Sequence, residues 1–204
     1  VLKPLSCAEE GLVSLVLTTG NLKMPAGMAE MRGYSRSFMG SGGDSDQHPL
    51  LTPVSAVVES DSPTFRWRPL DGATAYTVGV YDSELNKIAV SEPLRDTEWK
   101  IPQSLKRGEI YIWQVRASLG SQEIILPAVD LPDAKFKVLE RSWLQRLERA
   151  RRAAGDSHLV LGILYARAGL LGEAERELKG AALANPRSPL AERLLNSVKD
   201  IKEK

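Results

Sequence analysis

Few residues of the kinds that perform acid–base or nucleophilic chemistry are present in this chain. It has two histidines, His48 and His158, and one cysteine, Cys7, in 204 residues. Nucleophilic catalysis requires a base positioned beside the nucleophile. His48 lies in a glycine-rich stretch and His158 at a helix-core position, so the pattern predicts no serine-type or cysteine-type active site.

Metal and carboxylate chemistry are not favoured either. His48 with Asp44 and Asp46 offers metal-ligating atoms, but we interpret all three as solvated side chains of a loop. One cysteine excludes an internal disulfide and any multi-cysteine metal site. Asp and Glu fall at predicted turns and helix surfaces, roles that need no pair of catalytic carboxylates. We therefore predict that the chain is not an enzyme and binds no metal or cofactor.

Charge and hydropathy narrow the class of partner. Lys and Arg number 27 and Asp and Glu number 26, which gives a formal net charge of +1 and no field that favours nucleic acid. Since no run of about 18 apolar residues occurs, we predict no membrane span within the chain. The chain starts at Val1 without a methionine, and an upstream secretion signal or membrane anchor is compatible with that start.

The elements that position these residues begin with a helical segment over residues 1–39. Ala8–Thr19 carries apolar residues at helical spacing and is followed by a helix-terminating Gly-Asn pair. Pro25 opens a second short helix, with Met28 and Met31 on one face. Packing against a larger domain explains these methionines better than an adaptable binding surface does.

Residues 40–50 are rich in Gly, Ser and Asp. Such residues bury too little surface to offset the entropy of ordering the chain, so we predict a flexible linker. No lysine follows the glycines, which excludes a P-loop that would bind phosphate.

From residue 51 to residue 139 the periodicity changes to short alternating runs bounded by Pro, Gly, Asp and Asn. Every second residue is apolar or aromatic in the two longest runs, which is typical of a strand with one buried face. Strands at this spacing fit a two-sheet antiparallel sandwich. The predicted strands are Val54–Val58, Thr64–Trp67, Ala75–Tyr81, Ile88–Val90, Glu98–Ile101, Ile110–Ala117, Gln122–Ile125 and Ala134–Val138.

The order of aromatic and apolar residues in this region follows a known pattern: Phe65 and Trp67, then Tyr76 and Val78, then Leu105, Tyr111, Val115 and Ala117. With these residues the region resembles a fibronectin type III domain. The resemblance implies that Trp67 is the core tryptophan and that Tyr111 forms a tyrosine corner. No Arg-Gly-Asp sequence is present, so integrin binding is not implied.

Trp99 has two interpretations. With polar neighbours on both sides it could be a surface anchor for a partner, or it could be an edge-strand aromatic that closes the sandwich, which we favour. Trp99 and Tyr81 as stacking platforms would make the sandwich a carbohydrate- or surface-binding module. This is the first alternative function.

Leu139–Ala154 is predicted to be an amphipathic helix with Trp143 and leucines on one face and arginines elsewhere. A basic amphipathic helix can lie on an anionic membrane. Glu140 and Glu148 interrupt the positive charge, however, and packing before a helical repeat explains the apolar face, so packing is favoured.

The following window, residues 155–188, has small and large residues at a regular spacing: Leu161, Gly162, Tyr165, Gly169, Ala174, Leu178, Ala181 and Pro186. With these residues the window resembles one complete tetratricopeptide repeat, with His158 where the family often has tryptophan. Ser188–Lys204 is predicted to be a terminal capping helix. One repeat is fewer than a free-standing array needs. We therefore expect a four-helix unit leaning on the sandwich, with Trp143 as a wedge at a stiff junction.

The predicted fold class is thus a fibronectin type III or immunoglobulin-like β-sandwich at 51–139 and an all-α, tetratricopeptide-like helical hairpin with a capping helix at 140–204. Before them come the short helical segment and the linker.

The predicted function is a non-catalytic protein–protein interaction or scaffold module. The order of modules resembles extracytoplasmic or membrane-anchored bacterial proteins, which implies a periplasmic or anchored location. A peptide or protein partner would bind the concave side of the helical pair or an edge of the sandwich. The helical candidates are Tyr165, Arg167, Glu173, Arg176 and Glu177. A homo-oligomer through the helical unit and an accessory domain of a larger upstream sensor or enzyme remain open.

Overall fold

The computed structural model describes residues 7–23, 25, 28, 48–129, 131–155 and 157–203. Five α-helices and nine β-strands have described bounds. The described residues divide into two compact units, one with all nine strands and one with the first helix and the four helices that follow the strands. Most of the predicted linker and of the second short helix lies outside the described residues.

The strands form two sheets. One has three strands in the order β1-β3-β6, and the other has six, with β2-β9-β7-β4-β5 in order and β8 also paired to β7. Neighbouring strands are antiparallel except β2 and β9, which are parallel. The strands are β1 (Leu50–Thr52), β2 (Ala56–Val58), β3 (Thr64–Trp67), β4 (Ala75–Asp82), β5 (Lys87–Val90), β6 (Glu98–Lys100), β7 (Ile110–Leu119), β8 (Gln122–Leu126) and β9 (Ala134–Val138).

The eight predicted strands are confirmed as β2 to β9, each within two residues of its predicted bounds. β1 was not predicted, because its first residue, Leu50, was assigned to the linker. Leu50 is buried and pairs with Trp67 of β3. A three-residue strand has no periodicity of its own and is defined by its pairing partner.

The alternation in β4 and β7 places one side of each strand in a core. Val78 and Val115 are direct partners across the two strands, and neither is exposed. Phe65 of β3 contacts Trp113 of β7 with ring centroids 5.0 Å apart. Because these two rings come from different sheets, the core lies where side chains of both sheets meet. Burial of each such side chain stabilises the unit by about 1.5–3 kcal/mol.

The second unit consists of α1 (Cys7–Thr19), α2 (Arg141–Ala154), α3 (His158–Ala168), α4 (Leu171–Ala184) and α5 (Pro189–Glu203). These bounds confirm the helices predicted at Ala8–Thr19, Leu139–Ala154 and Ser188–Lys204, each within two residues. α3 and α4 lie inside the window 155–188, for which no separate helix bounds were predicted. α3 contacts each of the other four helices, and α4 also contacts α5. α3 is therefore the centre of this unit, which explains why it is apolar on all sides rather than on one stripe.

The turn between α3 and α4 consists of Gly169 and Leu170. Gly169 has φ +84°, a left-handed conformation that glycine adopts at no steric cost, and its N–H bonds to the carbonyl oxygens of Ala166 and Tyr165. This short turn makes α3 and α4 antiparallel neighbours.

Candidate functional site

Tyr165, one of the five residues predicted to form the helical binding face, lies at the contact between α2 and α3. Arg151 Nε donates a 2.7 Å hydrogen bond to Tyr165 Oη, and the guanidinium lies 5.3 Å from the ring centroid. Only 7% of Tyr165 is exposed. Its ring and its hydroxyl are both used inside the helical unit, so it leaves little surface for a partner.

Arg167 lies in the last turn of α3 and is half-buried. Its Nε is buried and has no hydrogen-bond partner in the described part of the chain. A buried donor left unpaired costs about 1–3 kcal/mol. Part of the side chain is exposed, so Arg167 keeps some surface for a partner.

The three remaining helical candidates lie on α4 and do not converge. Glu173 and Arg176 form an exposed pair with 4.0 Å between Oε1 and Nη2, a kind of pair that contributes at most about 1 kcal/mol. Glu177 Oε2 lies 2.8 Å from Nδ1 of His158, so it connects α4 to α3. Among the described residues, none of these three side chains forms a hydrogen bond with Tyr165.

Trp99 of β6 is half-buried and packs against the core of the sheet unit. It is the direct partner of Phe65 across the strands, and the two rings stack with centroids 5.7 Å apart. Tyr81 alternates with the buried Tyr76, Val78 and Val80 and therefore faces away from the core. The two predicted stacking platforms thus lie on different faces and cannot hold one ligand together.

An open depression of about 360 Å³ lies beside the β4–β5 turn, and its lining includes three carboxylates, Asp82, Glu84 and Glu109, together with Lys106. Asp82 Oδ1 accepts hydrogen bonds from the backbone N–H groups of Glu84 and Asn86, and Oδ2 accepts one from Asn86 Nδ2. The bond from the Asn86 side chain is the main cause that lowers the pKa of Asp82. The carboxylate is therefore occupied in holding the turn.

His48 is held by backbone groups. Leu50 N–H donates to Nδ1 at 3.2 Å, and Nε2 lies 3.4 Å from the carbonyl oxygen of Pro132. Asp44 and Asp46 lie outside the described residues. Among the residues that the structure describes, no group of three or more His, Cys, Asp or Glu side chains is arranged to hold a metal ion. None of the described helices is both long and apolar enough to cross a membrane.

A surface that the sequence analysis did not single out lies at the edge strand β8. Ile124 and Ile125 are 39% and 47% exposed, and Val129 and Leu131 in the loop that follows are exposed as well. Among the described strands, β8 pairs with β7 alone, so its other edge is free for hydrogen bonding. We call β8 together with Val129 and Leu131 the β8 edge.

The register places the two exposed isoleucines on opposite faces of the sheet. Ile124 is the partner of Ala117, whose side chain is in the core, whereas Ile125 is the partner of Arg116, which faces outward. Ile124 lies on the core side of the sheet yet remains exposed, so the core covers only the end of β8, where Leu126 is buried. The sequence signal was the consecutive Ile124-Ile125-Leu126, which breaks the alternation expected of a half-buried strand.

No protein-family model matches this chain, and a search of the curated proteins finds no match to it.

Proposed function

We propose that this chain is a non-catalytic protein-interaction module in which a fibronectin type III-like sandwich is followed by a tetratricopeptide-like helical unit. The side chains that could perform chemistry support the non-catalytic part of the proposal, because they serve the fold. His158 is paired with Glu177, and Asp82 holds a turn.

Two side chains support the fibronectin type III likeness. Tyr111 Oη accepts a 2.8 Å hydrogen bond from Lys106 N–H and donates one of 3.2 Å to the carbonyl oxygen of Lys106, the bonding expected of a tyrosine corner. Trp67 is 1% exposed and meets Tyr76 edge-on, with centroids 5.6 Å apart. This is the arrangement that the family resemblance implies for its core tryptophan.

The close contact between α3 and α4 supports the tetratricopeptide likeness. A Cβ added at Gly162 would lie 2.7 Å from Leu178 Cγ, so only glycine allows the helices this approach. Such a hairpin buries its apolar faces by stacking on neighbouring helices. α1, α2 and α5 fill that role for this single repeat-like hairpin.

The observation that carries the interaction proposal is the β8 edge. A partner segment in extended conformation can add to the free edge of β8, where main-chain hydrogen bonds supply affinity and Ile124 and Ile125 supply apolar contact on the two faces. The helical face is the less suitable surface because Tyr165 is buried and α1 already contacts α3.

The test uses a phage-displayed library of random 12-residue peptides selected on the full chain. A selected peptide is titrated into the wild-type chain and into Ile124→Lys, since an edge lysine disfavours strand addition. We expect at least about tenfold weaker binding by the variant, or about 1.4 kcal/mol. Amide hydrogen exchange should slow at residues 122–126 when the peptide is bound.

Val90→Lys is the matched control. Val90 is 48% exposed and lies on β5, the opposite edge strand of the same sheet. We expect this substitution to leave peptide binding unchanged. Protection confined to the helices, or equal losses from the two lysine variants, would contradict the assignment to the β8 edge.

We also propose an extracytoplasmic location, which rests on the resemblance of the module order to that of bacterial secreted or membrane-anchored proteins. Fusion of alkaline phosphatase to the C-terminus of the full-length protein tests it. High phosphatase activity in intact bacteria is expected, and activity at the level of a cytoplasmic fusion would contradict the proposal.

A further inference from the structure

A depression of about 280 Å³ lies on the outward face of the six-stranded sheet, the face turned away from the core. Its lining comes from the adjacent strands β4, β5 and β7. The described residues that line it are Thr77, Gly79, Tyr81, Lys87, Val90, Gln114 and Arg116. Its volume is just below the range of about 300–1,000 Å³ that is typical of drug-sized ligands, so it suits a single small ring.

The floor of the depression is a tyrosine ring that lies flat on the strand. A Cβ added at Gly79 would lie 2.9 Å from both Cε2 and Oη of Tyr81, so the ring covers the place where any other side chain would stand. Gln114 Nε2 donates a 3.0 Å hydrogen bond to Tyr81 Oη and fixes the ring from the neighbouring strand. Tyr81 is half-buried, which leaves part of the ring open to solvent.

Gly79 lies in the interior of β4, where glycine is an uncommon residue. Glycine inside a strand weakens the strand, and it often marks a site of close approach by a ligand or another group. Here the absence of a side chain at Gly79 allows the Tyr81 ring to lie flat against the strand. A flat, fixed aromatic ring is a surface on which the apolar face of another ring can stack.

The charge of the lining is positive. Lys87 is exposed and is the direct strand partner of Tyr81, while Arg116 is 45% exposed and pairs with Glu123 at 3.6 Å. No carboxylate belongs to the described lining, and Glu123 offsets only one of the two cations. The depression therefore combines a stacking surface with one uncompensated positive charge.

We propose that this depression binds one sugar ring that carries a carboxylate, as a hexuronic acid residue does. The apolar face of the sugar stacks on Tyr81, and its carboxylate is stabilised by Lys87 and Arg116. This inference goes beyond the proposed protein interaction, because it assigns a second ligand class to a different part of the sheet. It also replaces Trp99 as the aromatic group for a carbohydrate.

Methyl β-D-glucuronide titrated into the full chain, followed by amide chemical shifts, tests the site. Methyl β-D-glucopyranoside is the neutral comparison. We expect the uronide to shift the signals of residues 77–81 and 114–116. The neutral sugar should bind at least about threefold more weakly, as the loss of one exposed charge contact implies.

Two variants distinguish the contribution of the Lys87 charge to sugar affinity from that of the Tyr81 ring. Lys87→Gln should weaken uronide binding about threefold and leave the neutral sugar unaffected. Tyr81→Ser should weaken both sugars, since the stacking surface is lost. Lys100→Gln, an exposed lysine on β6 of the other sheet, is the control and should change neither.

Shifts that map elsewhere, or uronide binding that Lys87→Gln leaves intact, would overturn the inference. So would equal affinities for the two sugars. The Ile124→Lys variant tests the two proposals independently. It should lose peptide binding at the β8 edge and keep uronide binding in the depression.

Discussion

The hydroxyl of Tyr111 shows how one residue of the sheet unit stabilises a loop. It hydrogen-bonds both the N–H and the carbonyl oxygen of Lys106, in the segment that precedes β7. Burial raises the pKa of the Tyr111 phenol above its ordinary value, so the hydroxyl stays protonated and can donate over a wide pH range.

Replacement of Tyr111 by Phe keeps the ring and removes both hydrogen bonds. We expect a loss of about 1–3 kcal/mol in the free energy of unfolding, because the backbone groups of Lys106 lose their partner. Urea unfolding followed by tryptophan fluorescence measures this change. Tyr81→Phe, which removes one hydrogen bond on the outward face, serves as the control and should cost less. Equal losses would contradict the role given to Tyr111.

Gly162 is the residue on which the approach of α3 to α4 depends. An alanine Cβ there would lie 2.7 Å from Leu178 Cγ and 3.3 Å from the backbone nitrogen of the same residue. We expect Gly162→Ala to destabilise the protein by about 1–3 kcal/mol through overpacking, despite the higher helix propensity of alanine.

Gly172→Ala is the matched control because a Cβ at Gly172 meets nothing within 4 Å. Alanine there should be neutral or stabilise by up to about 1 kcal/mol. Thermal unfolding of both variants, followed by helical circular dichroism, tests the pair. A stabilising Gly162→Ala would show that the two helices are not in such close contact.

At the scale of elements, α4 and α5 are joined by a small charge cluster. Glu175 Oε1 lies 2.8 Å from Nζ of Lys179 on the same helix, and Glu175 Oε2 lies 2.7 Å from Nζ of Lys202 on α5. Hydrogen bonds from Lys179 and then Lys202 lower the pKa of Glu175 from 4.5 to about 2. The ionised carboxylate is thus the form that the folded state stabilises.

The stability that Glu175 contributes is therefore present above pH 4.5 and is lost as the pH falls toward 2. We expect Glu175→Gln to lower the free energy of unfolding by about 1 kcal/mol at neutral pH, a value limited by the exposure of both lysines. The difference from the wild type should shrink below pH 4.5 and be lost as the pH falls through about 2.

Chemical unfolding at several pH values measures this difference. Glu173→Gln on the same helix is the control, since its pair with Arg176 is longer and more exposed. Its effect should be smaller at every pH. A constant difference between Glu175→Gln and the wild type down to pH 2 would exclude the carboxylate as the cause.

At the scale of the whole molecule, the two units differ in how they use the chain. The core of the sheet unit draws its residues from Leu50 to Val138 without interruption by the other unit. The helical unit is discontinuous in sequence. Its helix α1 precedes the strands along the chain, yet it contacts α3, which follows them. Val13 and Val16 of α1 are buried there.

A fragment of residues 48–139 should fold alone, since it contains every residue of the sheet core. We expect a β-type circular dichroism spectrum and a cooperative urea transition. The contrasting fragment, residues 140–203, lacks α1 and should unfold less cooperatively because α3 is uncovered on one side. A disordered 48–139 fragment would show that residues outside it are required.

Most of the helices and strands that the structure describes could be predicted from local sequence patterns. Period-two alternation in β4 and β7 and helical spacing from α2 to α5 located strands and helices within a few residues, because those patterns are properties of local chain geometry. The tetratricopeptide resemblance likewise included a small residue at Gly162, where the structure has a close contact between two helices.

Which surfaces are exposed could be read only from the folded structure. Tyr165 was predicted to line a groove, yet it is 7% exposed and bonded to Arg151. Trp99 pairs with Phe65 and therefore lies on a different face from Tyr81. β8 lies at an edge of its sheet, where Ile124 is exposed. Exposure depends on which distant segment covers a residue, and the local spacing of residue types does not contain that information.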